Sequence, residues 1–156
     1  MGKKHVQIKV LFMDVDGTMT NGKIYMSEVG EMLKAFDIKD GLAIHDILPQ
    51  KGIRPIIITG RTSKILELRC RELGITDLYQ GVQDKVKKAE EILEELHINW
   101  NECAYVGDDI NDLECMNKVE IKGCPSDAVE EIRKICDFIS SKAGGNGAVR
   151  EFIEWL

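Results

Sequence analysis

Much that would point to other chemistry is missing from these 156 residues. The five cysteines (Cys70, Cys103, Cys115, Cys124, Cys136) form no Cys-x-x-Cys pair, and there are only three histidines. That spacing argues against a zinc site; scattered thiols in odd number read as reduced and buried. No apolar run approaches the roughly 18 residues of a membrane span. Positive charge is in deficit, 21 Lys and Arg against 27 Asp and Glu for a net charge of −6. This disfavours nucleic acid or an anionic membrane as the main partner. Residues 1–5 are basic, but a strand-length apolar run follows with no small-residue cleavage site, so a cytoplasmic protein is expected. There is no repeat, low-complexity tract or long linker. A single domain over 1–156 is the expectation, long enough for a real core.

What is present alternates between strand and helix. Val6 to Met13 reads as a first strand. Two short apolar runs, Thr20–Met26 and Met32–Phe36, flank a Gly-containing turn and predict a β-hairpin over about 20–36. A helix is expected over Leu42–Gln50 after Asp40-Gly41. A strand buried on both faces is expected over Arg54–Ile58, where Ile56-Ile57-Ile58 is continuous and β-branched. Further helices are expected up to Leu73, capped by Gly74, and over Asp84–Leu96, with Val86, Ala89, Ile92, Leu93 and Leu96 inward. Strands follow at Leu78–Gln80, Cys103–Val106, Val119–Ile121 and Phe138–Ile139. Helices are expected at Leu113–Asn117, Ala128–Cys136 and Ala148–Leu156, the last after a flexible break at 144–147. His45 and His97 fall in helical patterns and read as structural; His5 reads as solvated. The alternation implies an α/β fold, a Rossmann-like parallel sheet with helices on both faces.

The chemistry gathers after the strands. The run Val10–Met13 ends in Asp14-Val15-Asp16-Gly17-Thr18. Side chains two apart on a strand share a side, so Asp14 and Asp16 emerge together at the carboxyl end, where open α/β sheets bind ligands. Two such carboxylates repel, and a divalent cation relieves them; Asp14 reads as a nucleophile beside Mg²⁺. Thr59-Gly60-Arg61 follows the Arg54–Ile58 strand, with a hydroxyl and free N–H groups suited to phosphate or to a plain helix cap. Lys85 starts a helix against its dipole, which an anionic partner would explain; with Lys87 and Lys88 following directly, it reads by itself more readily as a solvated surface lysine. Gly107-Asp108-Asp109-x-x-Asp112 offers three carboxylates to a hard cation.

Taken in order, these four stretches resemble the motifs of the haloacid dehalogenase superfamily of phosphotransferases, over nearly the whole chain. The resemblance implies Mg²⁺ and assigns roles by position. Asp14 would attack phosphorus and form an aspartyl-phosphate. Asp16 would protonate the leaving oxygen and then activate water. Thr59 and Lys85 would hold phosphoryl oxygens, with Gly60 beside them. Asp108 would bind Mg²⁺ with Asp14 and the Asp16 carbonyl. Asp112 and Asp109 would hold Lys85 or a water beside the metal. A carboxylate at Asp16 is a feature of the phosphatases and mutases; the dehalogenases lack it and the transport ATPases place threonine there.

Many members carry a cap domain between motifs, but here neither Asp14–Thr59 nor Lys85–Asp108 leaves room for one. A capless monomer leaves the site open, although phosphoryl transfer benefits from enclosure. The hairpin, the Phe36-x-x-x-Asp40-Gly41 stretch and Gly144-Gly145-Asn146-Gly147-Ala148-Val149-Arg150-Glu151 look like the capless 3-deoxy-D-manno-octulosonate 8-phosphate phosphatases. That likeness implies a homotetramer built on the hairpins and a tail (about 143–156) reaching a neighbour's site. Removing 144–156 is then expected to lower activity and spare the fold. It also implies a sugar-acid phosphate substrate, with Arg61 and Lys64 as substrate-binding candidates. Relatives acting on nine-carbon keto-acid phosphates tend to place glutamate at the Arg61 position, so arginine favours the eight-carbon acid. Arg69 falls mid-helix and reads as structural. The alternatives are a nine-carbon ulosonate 9-phosphate phosphatase and, in another class, a non-catalytic phosphatase-like oligomerisation module.

Overall fold

The computed structural model describes residues 6–156; His5 and the rest of the basic start lie outside the described residues. A six-stranded parallel sheet runs in the order β5 (Leu78–Tyr79), β4 (Arg54–Ile58), β1 (Val10–Met13), β6 (Cys103–Val106), β7 (Ile121–Cys124) and β8 (Phe138–Ile139). The order changes direction at β1, which makes its carboxyl end a topological switch point. The β1 side chains alternate between two cores. Leu11 and Met13 pack on one face with Ile44, Leu66, Val149 and Phe152; Val10 and Phe12 pack on the other with Ala89, Ile92, Met116 and Ile132. Parallel strands covered on both faces need such unbroken apolar runs, and this sheet matches the Rossmann-like reading.

Helices cover the first face as α1 (38–50), α2 (Lys64–Glu72) and α6 (Ala148–Trp155), and the second as α3 (Lys85–Leu96), α4 (Leu113–Met116) and α5 (Glu130–Ile135). The α1 stretch is α-helical over Ile38–Leu42 and Leu48–Gln50 and π-helical over Ala43–Ile47 between them. Pro49 has no N–H for the carbonyl four residues back, and the ladder widens just before it. The helix begins four residues earlier than expected because the Asp37 carboxylate caps it through the Lys39 N–H at 2.7 Å. Asp40-Gly41 therefore lies inside the helix. Gly41 lies against the end of the Arg69 side chain, whose Nη2 would stand 2.4 Å from a Cβ there and would have to move aside for one.

Three other boundaries differ from expectation. The first strand keeps only Val10–Met13 as ladder. The strand expected at Val119–Ile121 lies at Ile121–Cys124, where Gly123 leaves room for the Phe152 ring that would meet its Cβ at 2.5 Å. His97 is not helical but ends α3 in the left-handed region at φ 54°. Four of the five cysteines are buried and all are free, as expected.

The hairpin pairs β2 (Tyr25–Ser27) with β3 (Gly30–Leu33) across a turn at 28–29. Its apolar side chains Tyr25, Met26, Val29, Met32 and Leu33 are exposed. No cap domain stands between the motifs. The segment after residue 143 is not a loose tail. Val149, Phe152 and Ile153 of α6 are fully buried in the first core, and Gly144 is buried against the turn after β1. Removing it would open that core, so the expectation that the fold survives its loss is corrected.

Candidate active site

The carboxyl ends of β1, β4 and β6 meet over one cavity of about 340 Å³ lined by Asp14, Asp16, Thr59, Gly60, Arg61, Asp108 and Asp109, with Ile110 and Asn111. Asp14 is buried. Lys85, the first residue of α3, reaches beneath it and donates to Asp14 Oδ1 and Asp112 Oδ1, each at 2.9 Å. Asp112 is fully occupied. Its Oδ1 also accepts from the Tyr105 hydroxyl at 2.7 Å, and its Oδ2 accepts from the Asp108 N–H at 3.2 Å. Its work is to hold Lys85 and the β6 loop. Gly107 has to be glycine here, because a Cβ would stand 2.6 Å from Asp112 Oδ2.

Burial and crowding set the charge states. Burial, then the Asp112 carboxylate, push Asp14 up to about 6 against the pull of Lys85. Burial, then Asp14, push Asp108 up to about 8. For Lys85, burial favours the neutral amine, but Asp14 and Asp112 outweigh it and hold its pKa above the ordinary value. Burial followed by the nearby carboxylates raises Tyr105 well above the ordinary value, so it stays a donor. Asp14, Asp108 and Asp112 bring carboxylate oxygens within 4.8 Å of one another. With Asp112 engaged, Asp14 and Asp108 remain for a cation, and this all-oxygen, repelling pair fits Mg²⁺.

A pH prediction follows from these shifts. Without metal, Asp14 and Asp108 hold protons more tightly folded than unfolded. The stability they contribute is complete below the ordinary carboxyl value of about 4 and is lost as pH rises through about 6 and then about 8. The metal-free protein is therefore expected to melt progressively lower across that window. Mg²⁺ should raise the melting temperature most at the alkaline end and release protons on binding. Thermal melts with and without Mg²⁺ across pH check this; a Mg²⁺ effect that shrinks as pH rises would refute it.

The structure brings Asp14, Asp16, Thr59, Gly60, Arg61, Asp108 and Asp109 to one cavity, and it adds residues that the sequence did not single out. Thr18, inside the first motif, donates to Asp108 Oδ1 at 3.0 Å. Lys34, just after β3, buries its side chain and donates to Asp16 Oδ1 at 2.8 Å. Glu31 lies 3.2 Å from Lys34 and 3.7 Å from Arg61, and accepts from the Ser63 hydroxyl. The hairpin thus reaches its own chain's acid–base candidate. The Glu31-x-x-Lys34 spacing was the only available signal, and it reads equally as a solvated strand edge. Arg61 lies 3.9 Å from Asp16 Oδ2 and faces the cavity. Lys64 does not; it is exposed at the start of α2, outside the lining. Asp109 lines the cavity but caps the following turn through the Ile110 N–H and makes no bond to Lys85. Arg69 lies over the Phe36 ring beneath α1, away from the site.

Buried carboxylates at the switch point of a Rossmann-like sheet, a lysine pinned among them and a hydroxyl opposite define a Mg²⁺-dependent phosphoryl hydrolase. Residues 37–119 match the family model of haloacid dehalogenase-like hydrolases. The 3-deoxy-D-manno-octulosonate 8-phosphate phosphatase of Escherichia coli K12 is 43% identical over 98% of this chain and 81% of its own. The crystal structure of that phosphatase from Yersinia pestis superposes with a TM-score of 0.90 at 41% identity, over 96% of this chain and 80% of its own. The Moraxella catarrhalis enzyme, solved with magnesium, phosphate and KDO, superposes with a TM-score of 0.89 at 40% identity, over 95% of this chain and 84% of its own. The chain belongs to the haloacid dehalogenase-like hydrolases, in the group of these octulosonate phosphatases.

Proposed function

We propose that this phosphoric monoester hydrolase removes the phosphate of 3-deoxy-D-manno-octulosonate 8-phosphate through an aspartyl-phosphate on Asp14. The observation that carries the reading is Asp14, buried and hydrogen-bonded to Lys85, with Asp16 two residues on at the rim of the same cavity. Asp14 attacks phosphorus and the bond to the sugar oxygen breaks. Asp16 donates a proton to that oxygen, and the free sugar acid leaves. Asp16, now a carboxylate, takes a proton from water as it attacks the aspartyl-phosphate, releasing inorganic phosphate and restoring Asp14. The Thr59 hydroxyl, the Gly60 N–H and the Lys85 ammonium hold the phosphoryl oxygens. Asp14, Asp108 and the Asp16 carbonyl would hold Mg²⁺, which when bound would supply positive charge against the phosphoryl group.

Arg61 supports a sugar-acid phosphate as substrate, because its guanidinium faces the cavity and suits the second anion of such a substrate, the carboxylate. The exposed apolar side chains of the hairpin support a tetramer built on that surface. The free cysteines support a reducing, cytoplasmic location. Side-by-side kinetics on the eight-carbon 8-phosphate and a nine-carbon ulosonate 9-phosphate, with light scattering on the same sample, test the reading. We expect kcat/KM to favour the eight-carbon substrate by about tenfold or more, and a tetramer in solution. Preference for the nine-carbon substrate would reassign the specificity. No turnover of either by a Mg²⁺-loaded protein would favour the assembly-module alternative.

A further inference from the structure

Gly17 is enclosed on two sides by backbone and carboxylate. At φ +91° it presses on Asp108, whose Oδ2 would stand 2.0 Å from a Cβ at 17. On the other side lies Gly144, where a Cβ would stand 2.0 Å from the Gly17 carbonyl oxygen and 2.8 Å from that of Thr20. Gly145 continues the contact. Its N–H donates to the Thr18 carbonyl at 3.2 Å, and a Cβ there would stand 2.7 Å from Asn21 N. Thr18 in turn donates its hydroxyl to Asp108 Oδ1. Strap, turn and carboxylate form one three-layer stack, and only glycine allows the outer two layers to approach so closely.

The strap is anchored at both ends. The Gly144 N–H donates to Asp127 Oδ1 at 3.0 Å, and the Val129 N–H of the same loop donates to the Asp108 carbonyl at 2.9 Å. On the far side, buried Asp40 of α1 accepts the Arg150 N–H at 2.9 Å, capping the first turn of α6 from another element. Glu151 accepts from the Ser141 N–H at 2.9 Å and from the hydroxyl of Ser140.

We propose that Gly144 and Gly145 are positioning residues for the metal site: they clamp the Gly17–Thr18 turn and so hold Asp108 in place beside Asp14. The inference rests on the reading of Asp14 and Asp108 as the Mg²⁺ ligands. It makes the segment after β8 part of its own chain's active site.

The test is Mg²⁺ binding by calorimetry on the full chain, with thermal melts on the same samples. The variants are Gly144→Ala, Asp127→Ala, Asp108→Asn and Gly52→Ala. Gly52 has a left-handed backbone at φ +69°, like Gly145 at φ +73°, but open space around it, so its variant measures backbone strain without a clash, whereas Gly144→Ala introduces the clash without a left-handed backbone. Gly144→Ala is expected to weaken Mg²⁺ binding by about tenfold, as loss of a positioning contact does. Asp127→Ala, which removes only an exposed acceptor, is expected to weaken it several-fold while folding normally. Gly52→Ala should melt lower and bind Mg²⁺ as the wild type does. Wild-type binding by Asp127→Ala together with wild-type binding or failure to fold by Gly144→Ala would overturn the strap, as would equal weakening by Gly52→Ala. Wild-type binding by Asp108→Asn would overturn the metal assignment itself, which separates the two failures.

Discussion

Asp14→Asn is expected to lower turnover by a factor on the order of 10⁵, as loss of a covalent nucleophile does. The amide keeps the shape of the carboxylate but cannot form the aspartyl-phosphate. The substitution also removes one of three carboxylates gathered within 4.8 Å. Burial and Asp112 already make ionised Asp14 costly, so the metal-free variant is expected to melt higher than the wild type above about pH 6. Loss of activity with gain of stability distinguishes a nucleophile from a structural carboxylate, whose removal lowers both. Stopped-assay kinetics and melts on one preparation check it. Near wild-type turnover would refute the nucleophile assignment.

Asp16→Asn is expected to cost about 10² to 10⁴ in kcat on the sugar phosphate, the range for loss of a general acid and base. Its signature is dependence on the leaving group. A sugar alkoxide needs a proton as it departs, whereas p-nitrophenolate does not. On p-nitrophenyl phosphate the variant should therefore release a rapid first equivalent of nitrophenol and then stall, because the aspartyl-phosphate no longer has a base to activate water. Mg²⁺ binding should persist, since in the proposed site Asp16 would offer the metal only its main-chain carbonyl. Lys34 keeps Glu31 as a partner at 3.2 Å, so the hairpin should stay docked. Equal losses on both substrates with no burst would assign Asp16 a structural role.

The motif residues were legible because each stands where an apolar run stops. Asp14 and Asp16 follow Val10–Met13, Thr59 follows Ile56-Ile57-Ile58 and Asp108 follows Cys103–Val106. A parallel strand buried on both faces leaves its first polar residues at the sheet edge, so a linear reading locates the site. Lys85 was legible only in company: it opposes the dipole of the helix it begins, but beside Lys87 and Lys88 it reads alone as a solvated surface lysine, and the carboxylates after the other strands single it out. Lys64 shows the limit of this approach. It carries the right charge three residues after Arg61, but the Ser63 cap turns the chain into α2 and leaves Lys64 outside. Lys34 shows the converse, since nothing local distinguishes it from any hairpin lysine, yet the flap folds it onto Asp16.

By itself, then, the sequence determined the α/β class, the Rossmann-like sheet and the Asp14, Asp16, Thr59, Lys85 and Asp108 constellation, because periodicity and strand-end placement are local properties. Tertiary structure alone decided what surrounds that constellation. Thr18 and Asp108, 90 residues apart, meet only once the sheet has formed. Whether Gly144-Gly145 is a loose tail or a strap depends on the space left beside Gly17, and that space exists only between packed elements. Glycine reads as freedom along a chain; in the folded protein the same missing side chain lets the strap lie directly against the turn after β1.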